Sequence, residues 1–292
     1  MKTSDLLDLG ILAALWGASF MFMRVAAPEF GPVALAALRV IGASLLLMPL
    51  LVLRGQAGEL RRHWFRLLVV GLANSTLPFM LFTYAALSIS AGMASIFNAA
   101  TPLFGAVIAW LWLHDRPTRS GVLGLAIGFG GVLWMAWDRA SFQPGGSPWA
   151  VLACLGAPLL YGISASYTKR FLTDVPSLAV AAGSLLAAAL LLVVPAVIWW
   201  PPVPPSARAW GAALVLAVAC TAVAYVLFFR LIANVGPART IAVTFLIPAF
   251  AMLWGRVFLG EVLTWHMVAG CAVILLGTAL ATGAVKLPRR WG

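Results

Sequence analysis

Ten long apolar runs, separated by charge, proline or glycine, leave this chain almost no choice of environment. They cover residues 6–26, 32–53, 65–87, 91–113, 119–137, 148–168, 176–199, 208–232, 237–259 and 265–285. A helix needs about 20 apolar residues to cross the hydrocarbon of a bilayer, so each run predicts one crossing. The expected fold is an all-α integral membrane protein with ten transmembrane helices. Charged residues make up only 9% of the 292, against about 25% in a soluble domain, which needs them to cover its surface. Ten crossings would use about 200 residues and leave short loops with no soluble domain. The first run has Asp5 and Asp8 at its start, not a basic cluster, and it exceeds a signal-peptide core in length. It reads as a retained helix.

The second constraint is internal repetition. At a constant offset Phe82 matches Phe228, Pro102 matches Pro248, Phe104 matches Phe250 and Leu113 matches Leu259. The series continues through Asp115 and Glu261, Thr118 and Thr264, Gly124 and Gly270, and Gly131 and Gly277, all 146 positions apart. Near the start of each half the offset is 145, pairing Trp16-Gly17 with Tyr161-Gly162 and Arg24 with Lys169. Such a run at one offset predicts duplication: a first five-span repeat over 1–140 and a second over 146–292, divided at the Gly/Pro-rich stretch 138–148. Five is odd, so the second repeat enters the membrane from the opposite side. Inverted repeats of this kind hold a solute near the midplane between the halves.

Charge gives the orientation. With the N-terminus inside, fourteen Lys and Arg fall in inner segments, including Arg54, Arg61, Arg62, Arg66, Lys169, Arg239, Lys286, Arg289 and Arg290. Only Arg24, Arg139, Arg208 and Arg256 fall outside. That bias places both termini in the cytoplasm of a multi-pass protein of the inner (plasma) membrane. The net charge of +11 is accounted for by this asymmetry and by anionic lipid headgroups, so nucleic acid is not an expected partner. Cys154, Cys220 and Cys271 lie within apolar runs, without metal or disulfide spacing. No metal or cofactor is expected.

The segments Leu15-Trp16-Gly17-Ala18-Ser19-Phe20 and Leu38-Arg39-Val40, with the twice-occurring mid-span Pro, Leu-x-Asp/Glu, Thr and Gly-rich pattern, resemble the drug/metabolite transporter superfamily in its ten-span EamA-like branch. The resemblance covers essentially the whole chain. Within the branch it is most similar to the YddG-type exporters of aromatic and other neutral amino acids. It implies a basket of ten helices around a central cavity and export of metabolites from the cytoplasm. The first half departs by reading Leu113-His114-Asp115 where the second has Leu259-Gly260-Glu261.

The candidate cavity residues come from what is costly in lipid. Arg39 lies about 10 Å into its span. It either pairs with a carboxylate such as Glu29 or a headgroup, or serves as a fixed cation for a substrate carboxylate or a gate. Pro78, Pro102 and Pro248 interrupt spans, and paired interruptions point to transporter sites; Pro158 reads more simply as a packing kink. Asn74 and Asn98 need partners in hydrocarbon, as helix links or as cavity lining. Ser19, Thr101, Ser164, Thr221 and Thr244 either bond their own helix or face substrate. Trp16, Phe79, Tyr84, Tyr161, Tyr167 and Tyr225 would give the cavity aromatic walls, whereas Trp64, Trp112, Trp199, Trp200 and Trp265 read as interfacial belts. Gly121, Gly124, Gly128, Gly131, Gly270 and Gly277 form smooth faces for close helix packing or dimerisation.

These features predict an exporter of neutral or aromatic amino acids and related metabolites, working by alternating access with spans 1, 2, 6 and 7 rocking against the rest. No acidic residue lies mid-span, so uniport is expected over proton coupling. The alternatives are a carrier or flippase of another class (nucleotide sugar, drug or lipid-linked solute); doubly charged phosphates would want more cations than Arg39. An intramembrane enzyme would need a nucleophile with its base, paired Asp or a metal cluster, and the spans offer none. Expected partners are the small-molecule substrate and membrane lipids, the protein being a monomer or weak homodimer.

Overall fold

A computed structural model describes residues 2–140, 147–236, 240 and 242–285, with backbone only at 138–140. The stretch expected to divide the repeats therefore lies mostly outside the described residues, as do Arg239, Lys286, Arg289, Arg290 and the side chain of Arg139. Among the described residues there are helices and turns and no strand. Seven helical stretches are long and apolar enough to cross a bilayer, and two shorter apolar helices follow.

The longest, α1 (Thr3–Leu53), has 51 residues, which as one rod would measure about 77 Å, far more than a hydrocarbon core of about 30 Å. It breaks at Gly31, where φ is 70° and ψ is 170°, a conformation open essentially to glycine alone. Pro28 and Pro32 flank the break and cannot donate backbone hydrogen bonds. Arg39 Nη1 lies 3.8 Å from Met23 Sδ, although 16 residues of straight helix would hold their Cα atoms about 24 Å apart. The helix is thus a hairpin whose arms correspond to the expected runs 6–26 and 32–53.

A short α2 (Ala57–Arg62) leads into α3 (Trp64–Ala85). The expected run 91–113 is not continuous: α4 (Ala91–Asn98) and α5 (Thr101–Leu113) are separated by a turn. Pro102 lacks the N–H that would have reached the Asn98 carbonyl, and the Thr101 hydroxyl donates to that carbonyl instead, at 2.7 Å. Then come α6 (Arg119–Ala140), α7 (Pro148–Phe171), α8 (Ser177–Ile198), α9 (Ala207–Val235), α10 (Val243–Leu259) and α11 (Trp265–Ala281). Both arms of α1 form the hub, packing against α8, α9 and α10, while α7 packs on α3 and α5.

Glycines set the closest approaches. A Cβ at Gly17 would come within 2.7 Å of Phe250 Cβ, so α1 and α10 touch backbone to backbone. The glycine faces of α6 and α11 meet each other within the chain: a side chain at Gly277 would strike the Gly128 backbone, and one at Gly124 the backbone of Ala281. These faces are spent on intramolecular packing, which removes the basis for reading them as a dimer surface.

Polar contacts tie together the two ends of the bundle. At the end holding the first turn of α1, Asn234 donates to Asp5 at 3.2 Å, Arg230 pairs with Asp8 at 3.2 Å, and Lys169 pairs with Asp115 at 2.6 Å. At the Gly31 end, Glu29 accepts from the Ser206 backbone N–H at 2.6 Å and hydroxyl at 2.8 Å. These bonds, that of the backbone N–H foremost, hold the Glu29 carboxyl below its usual range. Helix ends carry the same signature in both halves. His114 after α5 and Gly260 after α10 are both left-handed, at φ 59° and 66°. In each case the next N–H reaches back six residues, from Asp115 to Ala109 O at 3.3 Å and from Glu261 to Gly255 O at 3.1 Å. The left-handed residue itself bonds the same carbonyl, His114 N–H to Ala109 O and Gly260 N–H to Gly255 O, so the His-for-Gly departure changes the residue and keeps the turn.

Candidate functional site: a buried arginine between two helical bulges

Two stretches of π-helix interrupt the bundle, Leu72–Thr76 in α3 and Val218–Val223 in α9. Their first residues are 146 positions apart, the offset at which the sequence halves match. A π-bulge frees a carbonyl from the α-helical pattern and is frequent at functional sites. Here the exits are wide turns, with Leu77 N–H bonding Leu72 O and Ala224 N–H bonding Ala219 O. Pro78 lies two residues past the end of the first bulge, whereas alanine holds the corresponding place in α9, so proline alone does not cause the device. In α9 the Thr221 hydroxyl donates to Leu216 O at 2.7 Å, taking up a carbonyl the bulge released.

Arg39 projects from the second arm of α1 between these bulges and is 7% exposed. Its Nε donates to Thr221 Oγ1 at 2.8 Å. Its guanidinium carbon sits 3.8 Å from the centre of the Phe79 ring, a cation–π stack. Tyr161, Tyr225 and Cys220 lie within electrostatic reach. The Asn74 amide donates to the Tyr225 hydroxyl at 3.3 Å, linking α3 to α9, and Tyr225 stacks on Phe229 at 5.9 Å. Among the described residues no carboxylate pairs with Arg39. Glu29, its candidate partner, is bound to Ser206 at the end of the bundle instead. A buried guanidinium without a counter-ion is an unfinished electrostatic arrangement. Thr76 Oγ1, buried in the first bulge, also lacks a hydrogen-bond partner among the described residues.

The structure thus brings together Arg39, Asn74, Phe79, Tyr161, Thr221 and Tyr225, with Pro78 beside them. It scatters the others. Trp16 packs on Phe228 at 5.4 Å, and the Ser19 hydroxyl donates to the Trp16 carbonyl in its own helix. Asn98, Thr101 and Pro102 form the α4–α5 turn. Tyr167 joins Trp112 and Phe171 in an aromatic cluster near the Asp115 end. Tyr84 is 38% exposed near the end of α3, and Ser164 is buried in α7. Thr244 and Pro248 lie in α10, Pro248 buried and Thr244 half-buried. Met23, whose sulfur accepts from Arg39, carries no sequence signal, because only the Gly31 hairpin makes it a neighbour. A large cavity of about 620 Å³ lies elsewhere, between Ile41, Leu45, Met48, Val52 and Leu186 on an apolar face of α1 and α8. Its walls offer lipid chains a groove and a polar solute almost nothing.

The described residues thus hold a bundle of apolar helices with two matching π-bulges and a buried arginine between them. The EamA-like transporter family model matches residues 7–137 and again 148–283. The chain belongs to that family and is a membrane transporter. It is 28% identical to an uncharacterised transporter, YvbV, of Bacillus subtilis (strain 168), over 98% of this chain and 93% of that protein. It is 26% identical to the uncharacterised inner membrane transporter YedA of Escherichia coli (strain K12), over 97% and 93%. A relative from Streptantibioticus cattleyicolor, named a probable terminal-alkyne amino-acid exporter, is 26% identical over 93% of this chain and 91% of its own. A crystal structure of a protein at 22% identity superposes with a TM-score of 0.67, covering 97% of this chain and 98% of that one, a likeness of fold alone.

Proposed function

We propose that this chain exports neutral and aromatic amino acids across the cell's inner membrane by alternating access, without ion coupling. The observation that carries the reading is Arg39: a permanent cation, buried among Phe79, Tyr161 and Tyr225 and with no carboxylate partner among the described residues. A solute with one carboxylate and an apolar or aromatic side chain complements that environment, the first through a charge-assisted bond and the second through ring contacts. Thr221 and Asn74 add hydroxyl and amide groups on the facing bulges, suited to the ammonium-bearing end of such a solute. The exporter of amino acids among the relatives supports the same substrate class.

The transport geometry belongs to this proposal. Split at Gly31, and with α4 and α5 taken as one broken span, the helices make ten crossings in two groups of five. The contacts at each end support that threading, since they join turns that alternate along the chain. Both termini are then cytoplasmic, as the charge bias requires, and the π-bulges give each half a matching hinge. Uncoupled transport follows from the lack of a mid-span carboxylate among the described residues.

The test is reconstitution. Purified protein in liposomes is offered labelled Phe, Trp, Met, Thr and acidic amino acids, with and without a pH gradient. The proposal expects downhill equilibration of the neutral and aromatic compounds only, at rates indifferent to the gradient. Gradient-driven accumulation would replace uniport with coupling, and movement of nucleotide sugars in place of amino acids would replace the substrate class.

A further inference from the structure

The left-handed turns that end α5 and α10 each present an acidic residue, and the two acids behave differently. Asp115 is ion-paired with Lys169 at 2.6 Å across to the last turn of α7. Its repeat counterpart, Glu261, instead accepts from the backbone N–H groups of Ala91 at 2.8 Å and Gly92 at 3.4 Å, at the start of α4. The counterpart of Lys169 is Arg24, in the first arm of α1. Arg24 donates to the Ala86 carbonyl at 2.5 Å and lies beyond ion-pair distance of Glu261. Both side chains nevertheless face one cavity of about 430 Å³, walled also by Ser90, Leu259, Val262 and Thr264. The chain therefore carries the same acid–base pair twice, at opposite ends of the bundle, made at one end and separated across open space at the other.

We propose that Asp115–Lys169 and Glu261–Arg24 are two latches that close in alternation, and that this structure holds the first closed and the second open. The inference rests on the alternating-access reading above. In the opposite state Arg24 turns from the Ala86 carbonyl to Glu261 and fills the 430 Å³ cavity, while Asp115 parts from Lys169. Each latch biases the equilibrium without locking it. Lys169 and Asp115 are 64% and 52% exposed, and exposed pairs shift a two-state population by about two- to fivefold. A stronger latch would trap one state, and transport needs both ends to open in each cycle.

The test reads conformation without needing the substrate. In a background with Cys154, Cys220 and Cys271 replaced by alanine, Leu259→Cys places a thiol in the cavity wall, and its maleimide labelling rate is followed in purified protein in nanodiscs. Asp115→Asn and, independently, Lys169→Gln are each expected to slow labelling by about two- to fivefold, as molecules move to the state with the cavity closed. Adding Arg24→Gln to Asp115→Asn should restore the fast rate, because the closed cavity then loses its own latch. The charge exchange Asp115→Lys with Lys169→Asp should also restore it. Unchanged labelling in monodisperse Asp115→Asn and Lys169→Gln proteins would overturn the proposal, and so would a double variant with Arg24→Gln that stays slow. Phenylalanine uptake is measured in parallel on the cysteine-free parent. Uptake with unresponsive labelling removes the latches and leaves the substrate reading, whereas responsive labelling without uptake does the reverse.

Discussion

The two bulges share a backbone and differ in what they carry. In α3 the bulge Leu72–Thr76 is followed by a proline and then by an apolar ring, Phe79, on which the Arg39 guanidinium lies. In α9 the bulge Val218–Val223 presents the Thr221 hydroxyl to Arg39 and is followed by the phenol of Tyr225. Phe79 and Tyr225 are repeat counterparts, as are Ser75 and Thr221. Arg39 has none, because serine and leucine occupy positions 184 and 185 in the second half. Duplicated backbone supplies matching bulges, and substitution on one side of the pair makes the surroundings of Arg39 polar on the α9 side and apolar on the α3 side.

The largest effect expected from breaking this comparison comes from the unpaired element. Arg39→Met should lower phenylalanine transport by about 10- to 100-fold, the loss of a charge-assisted bond of about 1.5–3 kcal/mol. Thermal unfolding should show no loss of stability, since a buried charge without a carboxylate partner gives way to an apolar chain of similar length. Next, Thr221→Val should reduce transport about fivefold by removing the hydroxyl that orients Arg39, worth about 1 kcal/mol. Ser75→Ala, at the matching position, should change it less than the Thr221 variant does, and equal losses would erase the asymmetry between bulges.

Much of this organisation is legible in the sequence. The apolar runs place nearly every helix, and Pro102 and the Leu-x-acidic pattern mark a real break and real turns, whereas the break at Gly31 shows only in the fold. Arg39, Phe79, Asn74, Tyr161, Thr221 and Tyr225 stand out because polar or aromatic groups are conspicuous in hydrocarbon. Other features depend on long-range geometry. A π-bulge is a slip in hydrogen-bond register, and residues such as Val218-Ala219-Cys220 have the composition of any apolar helix. The glycine stripes reveal close packing but not their partner, which α11 supplies. Glu29 looks like a counter-ion for Arg39 along the chain, yet the hairpin turns it to Ser206.

Smaller effects sharpen the comparison at the helix ends and at the pocket rim. His114→Gly should raise stability by about 1 kcal/mol by relieving a left-handed residue with a Cβ, and Gly260→Ala should lower it by a similar amount; thermal denaturation in detergent measures both. Tyr225→Phe, which makes the two bulges more alike and removes the partner of Asn74, should slow transport about twofold, a change of about 0.5 kcal/mol.

The most direct measurement compares phenylalanine with phenethylamine, the same ring and amine without the carboxylate, as competing ligands of purified wild-type protein and of Arg39→Met. If Arg39 holds the substrate carboxylate, wild type binds phenylalanine at least about tenfold more tightly than the amine, and Arg39→Met loses that preference. Equal binding of the two compounds by wild type, or a preference that survives Arg39→Met, would contradict the account.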